Sequence, residues 1–70
     1  MTIEFTCLLP RKTMVWTVEV SSVTHAELGR GWGTKLSAGR CEFDGGDMGG
    51  NVYSGVGKIG TWRVMELKNE

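Results

Sequence analysis

Gly55-Val56-Gly57-Lys58-Ile59-Gly60 reproduces the Gly-x-Gly-x-x-Gly spacing that can bring backbone N–H groups up to a phosphate. In a dinucleotide-binding fold that motif opens a helix whose N-terminus meets the pyrophosphate, with an acidic residue about 20 positions further on. Here a strand pattern follows it, and only ten residues remain after Gly60. Ile59 after Lys58 also rules out the Gly-Lys-Ser/Thr form of phosphate loop. The segment reads as the turn of a hairpin.

The other residue sets with chemical potential fail on spacing. Asp44, Asp47 and Asn51 stand in a glycine-rich stretch, but counted from Asp44 the second calcium-ligand position is Gly46 and the twelfth, where a bidentate Glu belongs, is Gly55. Cys7, His25 and Cys41 lack the short paired intervals of a structural zinc site, and His25 is the only histidine. A single histidine without an identifiable acid partner does not make a nucleophilic triad. We therefore expect no enzyme activity, no metal and no cofactor. The two cysteines read as free thiols, with Cys7 in the core. Trp16, Trp32 and Trp62 with Tyr53 would make a base-stacking platform if exposed on one sheet face. Trp16 and Trp32 lie on apolar stripes and are expected in the core, which leaves Trp62 as the expected exposed aromatic.

The elements that must position these groups follow from periodicity. Ile3, Phe5, Cys7 and Leu9 alternate with Thr2, Glu4 and Thr6, giving a strand with one buried face over Met1 to Leu9. After the turn Pro10-Arg11-Lys12, Met14, Trp16, Val18 and Val20 alternate with Val15, Thr17 and Glu19, so the two strands should pair as a hairpin. The outward Val15 points to a central position for the second strand. Thr24-His25-Ala26-Glu27 has the Thr-x-x-Glu spacing of a capping box, and His25, Leu28, Trp32 and Leu36 form one stripe. Those signals predict a helix over Thr24 to Ala38, closed by Gly39, although Gly29, Gly31 and Gly33 each cost about 1 kcal/mol against alanine.

Arg40 to Phe43 reads as a short third strand, residues 44–51 as a mobile loop, and Val52 to Val56 and Ile59 to Leu67 as two more strands around Gly57-Lys58, with Trp62 and Val64 facing opposite to Arg63 and Met65, before a polar tail. The expected fold class is α+β: a small antiparallel sheet of four to five strands with one helix packed on a face, in the order ββαββ(β). A β-grasp-like arrangement is one candidate topology, and a small five-stranded β-barrel is the alternative.

Seventy residues make a single domain, residues 1–70, which buries only about 60% of the surface its unfolded chain exposes. A core of that size supplies roughly 3–5 kcal/mol, so a homodimer is an open prospect. Eight Lys and Arg balance eight Asp and Glu, without the basic excess that nonspecific duplex binding requires. The absence of an apolar run of about 18 residues and of a signal-peptide start predicts an intracellular, cytoplasmic protein that does not enter a membrane. Charge is unevenly placed, with a basic stretch of Arg30, Lys35 and Arg40 followed by an acidic one of Glu42, Asp44 and Asp47.

In length, in the strand-helix pattern of Thr13 to Gly39, and in its lack of catalytic groups, the chain resembles the small phage-encoded inhibitors, anti-CRISPR proteins among them. The resemblance spans the whole chain and rests on size and element order, without a shared motif. It implies a non-enzymatic, stoichiometric inhibitor or adaptor that occupies a surface of a larger host protein or nucleoprotein complex. Zero net charge departs from the acidic nucleic-acid mimics of that kind and favours steric blocking or tethering. The expected partner-binding residues are Glu27, Arg30 and Thr34 on the helix, Glu42, Asp44 and Asp47 in the acidic stretch, and Trp62 with Arg63. A small nucleic-acid-binding domain and a self-associating structural or virion component are the alternatives.

Overall fold

The computed structural model describes residues 1–11, 13–36, 41–46, 48–55 and 57–65. The expected cap Gly39, the base Arg40, the acid Asp47 and the strand end at Leu67 lie outside the described residues.

Alternation builds the sheet. β1 (Thr2–Cys7) and β2 (Met14–Glu19) form the first hairpin, α1 (His25–Gly33) follows, and β3 (Glu42–Gly45), β4 (Gly49–Ser54) and β5 (Gly57–Met65) complete the chain. The strands assemble in the order β2-β1-β5-β4-β3, every neighbouring pair antiparallel. The fold is thus α+β. β2 and β3 do not pair with each other, so the sheet is open and the barrel alternative is overturned. β1 runs antiparallel to β5, which excludes the β-grasp arrangement with its parallel first and last strands. No helix among the described residues is long and apolar enough to cross a membrane.

The register gathers the apolar faces. Phe5 stands opposite Trp16 on one side and Trp62 on the other, while Ile3 stands opposite Val18 and Val64. Ile3, Phe5 and Cys7 are fully buried under the helix, whose Leu28, Gly31 and Trp32 face inward. A Cβ on Gly31 would come within 2.7 Å of the Phe5 ring, so the missing side chain lets the helix sit directly on β1. Phe5 stacks on Trp16 at 5.5 Å and meets Trp32 edge-on at 5.8 Å. Such pairs are worth about 0.5–1.5 kcal/mol beyond their burial. Trp16 Nε1 ties the cluster to the helix by donating to the Gly31 carbonyl at 3.2 Å.

The helix starts as expected and stops earlier. Thr24 caps it, its hydroxyl accepting from the Glu27 N–H at 3.2 Å. Glu27 does not return the second bond of a capping box, because its carboxylate holds Arg30 at 2.7 Å. At the other end Thr34 Oγ1 donates to the Gly31 carbonyl, and the chain leaves through a turn that still buries Leu36. His25 does not join the buried stripe; its ring meets Phe43 of β3 edge-on at 6.2 Å.

Two sequence expectations fail. Residues 44–51 are not simply a loop, because Asp44 and Gly45 belong to β3 and Gly49 to Asn51 to β4. Glycine serves there as a close-approach residue: the Asp44 carbonyl oxygen leans over Gly50, 1.6 Å from where a Cβ would stand. From that position it accepts the Trp62 indole N–H at 3.0 Å. The expectation that β2 is central also fails, since β2 is an edge strand and Val15 is exposed on a face that nothing among the described residues covers.

Candidate binding surface

With α1 on one face, the other face of the sheet is left without a second layer among the described residues. Strand alternation assigns its side chains. One row runs Thr17, Glu4, Arg63 and Gly49, and the next runs Val15, Thr6, Thr61, Asn51 and Asp44. Glu19, Thr2 and Met65 make a third row, and Tyr53 stands between Glu42 and Lys58 at the far end. Threonine dominates the centre because a β-branched residue suits the pleat while its hydroxyl remains soluble.

Polar pairs hold this face in place. Arg63 Nε lies 2.7 Å from Glu4 Oε1 across strands β5 and β1. The Asp44 carboxylate accepts both the backbone N–H and the side-chain amide of Asn51, at 3.0 and 3.2 Å. Thr2 donates to the Glu19 carboxylate at the β2 edge. Of the charged residues on these rows, Glu4, Glu19, Glu42 and Asp44 outweigh Arg63 and Lys58. An acidic face opposes a phosphate backbone.

No known protein family, curated protein or solved structure matches this chain. Its surfaces therefore carry the functional reading.

The predicted site residues divide between two places. Glu42, Asp44 and Arg63 share the uncovered face, the first two as strand residues and not as a loop. Glu27 and Arg30 sit on the helix flank beside the β2 edge, where Arg30 Nη2 also donates to the Glu19 carbonyl at 3.0 Å. Thr34 spends its hydroxyl on the helix end. Trp62 is a correction: expected exposed, it is only 4% exposed, because successive strand residues point to opposite faces and its face is the one under the helix. Trp62 and Arg63 therefore do not act as a pair. Lys35 is exposed just past the helix.

Sequence reasoning missed Glu4, Thr6, Thr61, Asn51 and Tyr53 as surface groups acting together. Their signal was present as the polar half of each alternation. That the polar halves of five strands would line up on one bare face was not.

The Gly-x-Gly-x-x-Gly segment runs through a hairpin and does not open a helix. Ser54 of β4 pairs with Gly57 of β5, so the chain has turned before Gly57, and the expected turn residues Gly57 and Lys58 belong to β5 instead. No group of three or more His, Cys, Asp or Glu side chains gathers as a metal site among the described residues. Cys7 is a buried free thiol and Cys41 a half-buried one, whose pKa burial pushes up.

Proposed function

We propose that this chain is a non-catalytic binding protein that blocks or tethers a larger protein or nucleoprotein complex through the uncovered face of its sheet, as the small phage-encoded inhibitors do. The observation that carries the reading is the face itself, which spans five strands and is braced by the Glu4–Arg63 and Asp44–Asn51 pairs. Side chains fixed by cross-strand partners lose little freedom on docking, so such a face binds at a low entropic cost. Its acidic balance favours a protein partner, or the protein part of a nucleoprotein, over bare nucleic acid.

The test is a nuclease-treated pull-down with tagged wild-type chain and with Thr61→Arg, which places a long cation at the centre of the face. Recovery of one defined complex by the wild type and its loss with Thr61→Arg, at unchanged circular dichroism, is the expected result. Equal recovery by both chains, or loss of every captured protein to nuclease, would overturn the proposal.

A further inference from the structure

Which backbone groups of β2 are free follows from one pair. Met1 and Val20 exchange both backbone bonds, N to O at 2.9 and 2.8 Å, which makes them a doubly bonded antiparallel pair. Alternation then turns the N–H and C=O of Val18, Trp16 and Met14 towards β1, and those of Val15, Thr17 and Glu19 away from the sheet. Of these outward groups, the Glu19 carbonyl takes Arg30. Those of Val15 and Thr17 have no partner in the described chain.

The two edges of the sheet differ in how they are guarded. β3 is four residues long, has two acids and ends in a glycine. β2 has six residues and neither proline, lysine nor a bulge, and its only charge is at its last position. Natural sheets guard such an edge with those devices, and β2 lacks them.

We infer that β2 is the pairing edge of a homodimer, in which two copies meet antiparallel about a two-fold axis at Trp16 and form one continuous sheet. In this register Val15 and Thr17 of one copy exchange backbone bonds with Thr17 and Val15 of the other. On the helix side Met14 meets Val18, which covers a methionine that is 38% exposed in the single chain. Charge favours a second copy over a foreign strand. β2 has Glu19 at one end and follows Arg11 at the other, so antiparallel self-pairing brings each acidic end to a basic one.

Sedimentation equilibrium up to millimolar concentration tests the pairing, with Thr17→Pro and Val15→Lys as variants. Proline at Thr17 removes an outward donor while leaving the bonds to β1, and lysine at Val15 guards the edge without touching the core. The expected result is a wild-type mass of twice 7.7 kDa, a single-chain mass for both variants with unchanged circular dichroism, and slow amide exchange at Val15 and Thr17 in the wild type only. A wild type that stays at the single-chain mass throughout, or a dimer that survives Val15→Lys, would overturn the inference.

Discussion

The half of the molecule around β1, β2 and α1 turns on interlocked aromatic side chains, whereas the half around β3 and β4, although Phe43 and Val52 join the same core, turns on the close approach of backbone. In the first, Phe5, Trp16 and Trp32 interlock at ring distances of 5.2 to 5.8 Å, and most of the driving force is burial of aromatic area. In the second, a carbonyl oxygen occupies the space above Gly50 and reaches the indole N–H of Trp62. Side-chain packing tolerates a swap of similar volume, because neighbours relax. A backbone atom in the place of a side chain leaves no such freedom. One residue type therefore has opposite meanings in the two halves: Gly50 is required by its surroundings, whereas Gly29 on the outer side of α1 has open space where a Cβ would go.

The sharpest way to break this contrast is Gly50→Ala. The added methyl meets the Asp44 carbonyl, so β3 must detach from β4 and Trp62 loses its acceptor. We expect a loss of about 3 kcal/mol or more, read as a collapse of the urea midpoint or as failure to fold. A midpoint within experimental error of the wild type would remove the backbone-held half from the description.

A pair of identical changes sharpens it further. Trp62 Nε1 has the Asp44 carbonyl as partner, while Trp32 Nε1 is buried with none among the described residues. Trp62→Phe deletes a made hydrogen bond and strands the carbonyl; Trp32→Phe removes an orphaned donor along with some volume. Trp62→Phe should cost about 1–2 kcal/mol more than Trp32→Phe in matched denaturation curves. Equal costs would mean that the Trp62 bond contributes nothing.

The smallest effect is a gain. Gly29→Ala on the exposed helix surface should stabilise the chain by about 0.5–1 kcal/mol, through helix propensity and a less free unfolded state. A lower thermal midpoint for this variant would show that the outer helix surface is already in contact with something, and the dimer is the first place to look.

Much of the fold is legible from local rules. The apolar alternation of Ile3, Phe5 and Cys7 and of Trp16 and Val18 and the Thr24 cap follow from strand and helix geometry within a few residues, whereas the last turn was read too late, at Gly57-Lys58, which belong to β5. Glycines 45, 49 and 50 misled in the opposite direction. Composition marks them as a loop, since glycine weakens a strand, yet here strands approach too closely for any other residue. The candidate surface was legible only in fragments: Glu42, Asp44 and Arg63 were picked for charge, and alternation set Trp62 and Arg63 on opposite faces, but nothing in their spacing told that the face of Trp62 is the one the helix covers.

By itself, then, the sequence determined which side of each strand is apolar, where the helix begins, and that no metal or phosphate motif is complete, because each depends on spacing along one stretch of chain. Only the tertiary structure decided that β1 takes β5 as its second neighbour, leaving β2 at an edge and one polar face without a layer over it among the described residues. Strand pairing joins residues as far apart as Glu4 and Arg63, and its outcome turns on how side chains from distant segments fill one space, which no local pattern encodes.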